Sequence, residues 1–230
     1  MPPAILAAGL ILAAYLIGAV PFGLLIGRLR GMDIRQAGSG NIGATNVARL
    51  LGARWGALAL VSDVLKGMIP VLVAGRLLEP FVPGGPTPAP WWLYPVWLTV
   101  GLACVVGHIL PVYLRLRGGK GVATSLGVVL GFWPIFTIPG LAALGVFLLV
   151  VLATRYVSLA SMTAALAFPI AFFLLRNHVS GEPGQATYFM PFAVFLPLVI
   201  LWRHRANIRR LLDGREPRIG QSAPSDSLER

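Results

Sequence analysis

The sequence predicts an all-α, polytopic membrane protein, on two compositional facts and one pattern. Hydrophobic residues fill 57% of the 230 positions and only 12% are charged, about half the charged share of a soluble domain. Mean hydropathy is +0.79. Apolar runs long enough to cross a bilayer recur along the chain, joined by short basic connections. The basic residues, in a chain of net charge +11, gather in those connections and in the C-terminal tail. That is the charge distribution of a multi-pass protein in contact with anionic lipid. No soluble basic face with interleaved aromatics exists, which excludes nucleic acid as a partner. The single Cys104 excludes an intrachain disulfide and, among apolar neighbours, reads as a small buried residue.

The first span covers residues 4–26 and lacks the basic leading region of a cleavable signal. Arg28, Arg30 and Arg35 follow it, so this end faces the cytoplasm and the N-terminus lies outside. Residues 35–52, RQAGSGNIGATNVARLLG, make a turn from Gly38, Gly40 and Gly43 that carries Ser39, Asn41, Thr45 and Asn46. A short amphipathic pattern starts near Asn46, with Arg49 one turn in. The second span, residues 56–78, holds Asp63 and Lys66 three apart, on one helix face where they can pair. Ionisable groups in a span mark function by default; a structural pair tying helices together fits the spacing equally well.

Residues 79–90 read as a Pro/Gly-rich exterior loop, and Trp91, Trp92, Tyr94 and Trp97 as an interfacial belt. The third span, residues 94–114, ends with Gly107, His108 and Pro111. A lone histidine there reads first as a packed, hydrogen-bonded residue and second as a ligand. RLRGGKGVATS follows, with Arg115, Arg117 and Lys120 among Gly118, Gly119 and Gly121, and with Thr124 and Ser125 in the first turn of the next helix. A glycine-rich entry to a helix N-terminus favours an anion, phosphate above all. It is not a Walker A loop, and a tight turn obeying the positive-inside rule is the plainer reading.

As one helix, residues 122–154 would be about 50 Å long, too long for the bilayer. Pro134 and Pro139 interrupt it, so two short spans meeting near the exterior are expected. Such a hairpin returns Arg155 and the arginine-rich tail to the cytoplasm. With spans at residues 157–175 and 188–202 the total is seven, N-terminus outside and C-terminus cytoplasmic; Arg76 and Arg176 snorkel at the outer side. Residues 202–216 form an interfacial amphipathic helix with His204 and Asn207 on one face, ended by Gly214 and Pro217. Residues 1–217 thus make one integral-membrane domain, and residues 218–230 a polar tail expected to be disordered.

On this topology three clusters share the cytoplasmic surface: Ser39, Asn41, Thr45, Asn46 and Arg49; Arg115, Arg117 and Lys120; His204, Arg205 and Asn207. Cations, glycine N–H groups, hydroxyls and amides suit a small phosphorylated alcohol, and the lipid side admits an acyl chain. An enzyme joining the two fits. The eight acidic residues offer no carboxylate pair for Mg²⁺, no histidine has an aspartate five positions on, and neither GxSxG nor a metal-ligand cluster occurs. The rival class is a transporter of phosphorylated metabolites, but transporters place such sites at the midplane between repeats, and no repeat is visible.

GSGNIGATNVAR (residues 38–49), GHILPVYLRLRGGKGVATS (107–125) and RHRANIRRLLDGRE (203–216) resemble the three motifs of the PlsY family, and DVLKG (63–67) its second-helix pattern. The resemblance runs through the whole membrane region in order and spacing. It implies a seven-helix enzyme of the bacterial inner membrane with its active site at the cytoplasmic face. That enzyme moves the acyl group of acyl phosphate to the 1-hydroxyl of sn-glycerol 3-phosphate, giving lysophosphatidic acid and phosphate, the first step of phospholipid synthesis. It further implies that Ser39, Arg49, Lys120, His204 and Asn207 serve glycerol 3-phosphate and catalysis, and that the glycine-lysine loop serves phosphate. The substrate-binding set drawn from the motifs is Gly38, Gly40, Asn41, Thr45, Asn46, His108, Gly118, Gly119, Gly121, Thr124, Ser125 and Arg205. The expected partners are the two substrates and membrane lipids, with the protein as a monomer that needs no metal or cofactor.

An acyl phosphate is a mixed anhydride, already activated, so orientation and charge stabilisation remain as the protein's task. His204, with an unperturbed pKa of about 6.5, is the one strong protein base; a substrate phosphate taking the hydroxyl proton is the favoured alternative. Ser39 lacks the base and orienting carboxylate of a covalent nucleophile.

Overall fold

A computed structural model describes residues 3–81, 90–179 and 185–221. All regular structure in them is helical. The first span is broken: α1 (Pro3–Ala19) and α2 (Phe22–Leu29) are separated at Val20–Pro21. Proline has no N–H and bars its predecessor from the helix. The freed Val20 carbonyl accepts a hydrogen bond from Lys66 Nζ at 2.8 Å. The short amphipathic helix α3 (Ala44–Leu51) follows, then the long α4 (Ala53–Leu78). After α5 (Leu93–Ile109) the chain passes the glycine-lysine loop into α6 (Val122–Gly131), turns, and continues as α7 (Thr137–Thr154), α8 (Val157–Val179), α9 (Gln185–Arg203) and α10 (Arg205–Leu212).

Six segments among the described residues are long and apolar enough to cross a membrane: Pro3–Leu29, Ala53–Phe81, Leu93–Leu114, Thr137–Thr154, Val157–Val179 and Ala186–Arg203. α6 is apolar but has only ten residues, about 15 Å. The break expected at Pro134 is present between α6 and α7. Its turn carries the buried Phe132, Ile135 and Phe136. A cluster of aromatic rings covers this turn. Phe132 and Phe136 meet Phe189 and Phe192 of α9, and Phe136 meets Phe168 and Phe172 of α8. Trp97 and Tyr94 belong to this cluster as well: Trp97 packs on Phe132 and donates to Val71 O, and Tyr94 packs on Phe189. Of the expected aromatic belt only Trp91 stands fully in the open. The exterior loop lies largely outside the described residues.

Small residues bring the helices together, as they do where lipid supplies no hydrophobic drive between helices. α4 lies on α6 so closely that a Cβ on Gly127 would sit 1.9 Å from Val64 O, and one on Gly67 2.2 Å from Thr124 O. α1 meets α5 in the same way: a Cβ on Gly18 would lie 2.3 Å from Cys104 O, and one on Gly107 2.3 Å from Tyr15 O. After α10 the chain docks on the α7–α8 turn. Ile219 N–H donates to Arg155 O and Arg155 Nη2 donates to Ile219 O, both at 2.9 Å. Residues 218–221 of the expected tail are therefore placed, and 222–230 lie outside the described residues.

Candidate active site

The three motif segments converge. A cleft of about 590 Å³ is lined by Ser39, Gly40 and Asn41 from the first, with Asp33 and Arg35 just before it, by Arg117 and Gly118 from the second, and by Arg203 from the third. Arg203, at the last turn of α9, donates through Nε and Nη2 to Gly119 O (3.1 and 2.9 Å) and through Nη2 to Gly118 O at 3.2 Å. It straps the third motif onto the second. Arg35 pairs with Asp33, Nε to Oδ1 at 2.9 Å, and the Arg35 hydrogen bonds bring the half-buried Asp33 down to about 2.

Near the cleft lies a second polar group. Arg49, Lys120, Arg203 and Arg210 are near enough for their charges to act on one another, and Glu216 is the carboxylate among them. Burial foremost, opposed by Glu216 and then aided by Arg210, Arg203 and Arg49, brings Lys120 down to about 8. Burial, with the Lys120 charge next, lowers His204 to about 4, so its ring is neutral at pH 7. His204 Nδ1 lies 2.8 Å from Ile200 O. A carbonyl can only accept, so Nδ1 carries the proton and Nε2 is left as an acceptor.

Glu216 is 8% exposed. Its Oε1 accepts from Ser158 Oγ and Asn207 Nδ2, each at 2.6 Å, and its Oε2 accepts from Arg210 Nε at 2.8 Å. Burial alone would raise its pKa, but the bonds from Ser158, Asn207 and Arg210 together hold it below its ordinary value. The carboxylate is acceptor-only, which fixes the Asn207 amide with nitrogen toward Glu216. Asn207 Oδ1 is then a buried acceptor with no protein partner among the described residues. Two acceptors, His204 Nε2 and Asn207 Oδ1, thus stand three residues apart at the start of α10. They suit hydroxyl donors.

The expected site residues divide. Ser39, Gly40, Asn41 and Gly118 line the cleft, while Arg49, Lys120, His204 and Asn207 form the group near it. Other expected substrate ligands are occupied elsewhere. Asn46 accepts from Ser39 N–H at 2.9 Å through Oδ1 and donates to Ile34 O and Ala37 O through Nδ2, so its amide shapes the turn and both its N–H donors are engaged. Gly38 must be glycine in that turn: its φ is +61° and a Cβ would meet Asn46 Oδ1 at 2.4 Å. Thr45 is exposed on α3 outside the cleft lining. Asn41 lines the cleft while its Oδ1 accepts Gly43 N–H.

Gly118 and Gly119 donate their N–H groups to Ile109 O and His108 O, both at 3.1 Å. The expectation that these two groups cradle phosphate is therefore corrected; the free donors of the loop are those of the first turn of α6, which Gly121 enters at φ +83°. Thr124 and Ser125 are enclosed, at 0% and 3% exposure, and His108 is buried beneath Gly119. None of these three side chains lines the cleft. Arg205 leans on Trp202 at the outside, and Arg203 takes the place expected for it. Arg115 and Leu116, immediately before the loop, both have positive φ (51° and 64°), conformations costly for non-glycine residues and concentrated at functional sites.

Sequence reasoning missed Arg203, Arg210, Ser158 and Glu216 as site residues. Glu216 had a visible signal, as a glutamate closing a run of arginines; the reach of Arg203 over 84 positions had none.

The family model for glycerol-3-phosphate acyltransferase matches residues 8–214. The glycerol-3-phosphate acyltransferase of Geotalea daltonii is 44% identical over 207 residues, 90% of this chain and 94% of the relative. That of Thioalkalivibrio sulfidiphilus is 44% identical over 227 residues, covering 97% and 98%. The crystal structure of PlsY (YgiH), an integral membrane glycerol 3-phosphate acyltransferase, in its glycerol 3-phosphate form has a TM-score of 0.78 at 41% identity, covering 93% of this chain and 96% of that one. Its lysophosphatidic acid form gives 0.76. With its three motifs brought to one cleft and nearly its full length matched, the chain belongs to the glycerol-3-phosphate acyltransferase family.

Proposed function

We propose that the protein transfers a fatty acyl group from acyl phosphate to the 1-hydroxyl of sn-glycerol 3-phosphate, giving lysophosphatidic acid and phosphate. The observation that carries this reading is the meeting of two cationic groups, Arg35, Arg117 and Arg203 at the cleft and Arg49, Lys120 and Arg210 near it, with the acceptor His204 Nε2 and with Asn207 Oδ1, which has no partner among the described residues. The cations suit the phosphates of two substrates, and the acceptors suit the two hydroxyls of a glycerol unit. The 1-hydroxyl oxygen bonds to the acyl carbon, the carbon–oxygen bond to phosphate breaks, and the hydroxyl proton goes to the departing phosphate. His204, lowered to about 4, is a weak base at neutral pH; it positions the hydroxyl.

Seven crossings belong to this reading, N-terminus outside and C-terminus cytoplasmic, with the site at the cytoplasmic face of a bacterial inner membrane. Residues 1–217 are the membrane domain of a monomer, and residues 218–230 its tail. The contacts among the first motif, the glycine-lysine loop, the α7–α8 turn and the segment after α10 support it, because they put four connections at one end.

Purified protein supplied with acyl phosphate and glycerol 3-phosphate is expected to yield lysophosphatidic acid on thin-layer chromatography, with EDTA present and with no product from acyl-coenzyme A. Product from acyl-coenzyme A alone overturns the donor. His204→Gln is expected to keep turnover and lose glycerol 3-phosphate affinity. A variant that binds both substrates and is dead at saturation makes His204 the base.

A further inference from the structure

Beneath the glycine-lysine loop, four buried polar side-chain atoms from three helices have hydrogen-bonding capacity that no group among the described residues fills. They are Asp63 Oδ1 on α4, His108 Nδ1 on α5, and Thr124 Oγ1 and Ser125 Oγ in the first turn of α6. The four residues are 0–4% exposed. Helical hydroxyls usually donate back along their own helix, as Ser161 does to Val157 O and Thr163 to Leu159 O; Thr124 and Ser125 do not. Asp63 Oδ1 pairs with Lys66 Nζ at 2.7 Å, which leaves further lone pairs on the carboxylate, and it lies 3.8 Å from His108 Nδ1, beyond direct bonding. The α6 turn is held at the same level, since Gly67, one turn after Asp63, packs on the Thr124 backbone.

Orphaned groups of this kind are costly inside a membrane domain. Lys66 already neutralises Asp63, so the pair has no net charge to draw either a metal cation or an anion. Water, which both donates and accepts, satisfies a site offering two to four polar partners. We propose that Asp63, His108, Thr124 and Ser125 bind internal water, and that through it Asp63 and His108 are positioning residues for Lys120.

His108 carries the loop directly. Its carbonyl accepts Gly119 N–H at 3.1 Å, and its Nε2 lies 2.2 Å from where a Cβ on Gly119 would stand. Arg203 holds Gly119 O from the other side at 2.9 Å. Lys120 is the next residue, so a ring left loose beneath Gly119 displaces the ammonium group. The inference rests on the reading of Lys120 as a phosphate-holding group.

Thr124→Val and Ser125→Ala each delete one hydroxyl with little change of volume. In the purified full chain, each is expected to raise KM for a phosphate substrate roughly 2–10-fold, the equivalent of one hydrogen bond, with kcat nearly unchanged. Each should also shrink the rise in melting temperature that inorganic phosphate gives. The double variant should fall short of the product of the two, because both hydroxyls hold the same water. Where Thr124→Val does not accumulate, Ser125→Ala carries the same expectation. A crystal structure should show ordered water within hydrogen-bond distance of Asp63 Oδ1 and His108 Nδ1. A lowered melting temperature with unchanged KM and unchanged phosphate response overturns the positioning role, and a dry site overturns the water. If the wild type makes no acylated product, the acyltransferase reading has failed, and the phosphate-dependent melting shift still decides this one.

Discussion

Lys120 sits where a charge matters most and is hardest to keep. Burial has brought it down to about 8, so its ammonium form is present below that pH and is lost as pH rises through it. kcat/KM reports the free enzyme and is expected to fall above pH 8 with a slope of one. The limb of kcat itself should move higher, because bound phosphate favours the charged lysine. At the acid end, His204 becomes a donor at both nitrogens as pH falls through about 4, which removes the Nε2 acceptor. The profile should therefore lack a limb near pH 6.5. A single limb at 6.5, removed in His204→Gln, would make the histidine a conventional base. On the proposed function, Lys120→Ala is expected to cost roughly 10–100-fold in rate, the equivalent of a charge-assisted phosphate contact of about 1.5–3 kcal/mol made in the transition state. Steady-state rates at pH 7 measure it.

Helices α4 and α6 show what an element needs here beyond apolarity. α6 is short, and it carries the loop's anchoring turn only because it lies directly on α4 through Gly67 and Gly127. A methyl group on Gly127 would reach 1.9 Å from Val64 O, a backbone atom that cannot rotate away. Gly127→Ala must push the helices apart, an overpacking cost of about 1–3 kcal/mol, and is expected to lower the melting temperature by several degrees. Gly9→Ala, at a position with nothing within 4 Å, is the matched control and should melt as wild type does. Equal melting of both variants would contradict the close α4–α6 contact.

Across the whole molecule, chain connections from four places gather at one end. Arg203 holds the loop at Gly118 and Gly119, and Ile219 holds Arg155. The path from Ser39 to Arg117 takes the short α3 and then the pair α4 and α5; from there to Arg155 it takes α6 and α7, and on to Arg203 α8 and α9. Single cysteines at the exposed Gln36, Arg117 and Arg209, in a Cys104→Ser background, are expected to resist an impermeant thiol reagent in intact cells and to react in inverted vesicles. Labelling of any one in intact cells refutes the cytoplasmic placement of the site.

The helical class, the apolar segments and the three motif segments that meet at the cleft were all legible in the sequence. Those properties rest on local facts: apolar run length, the helix-breaking prolines and the sites of positive charge. The sequence also marked Lys120, His204 and Asn207, because residue type and spacing alone show what chemistry they can offer. Only the tertiary structure decided which atoms are free to offer it. Asn46 looked like a ligand and its N–H donors are engaged by Ile34 and Ala37; the N–H groups of Gly118 and Gly119 looked free and are held by Ile109 and His108. Arg203 rather than Arg205 reaches the loop, and Glu216 turns the Asn207 amide. The break at Val20–Pro21 acquired its meaning only when Lys66 was found on the Val20 carbonyl. The physical reason is common to all of these. Hydrogen-bonding capacity is finite, and whether it is already engaged depends on partners many residues away, which a linear pattern does not encode.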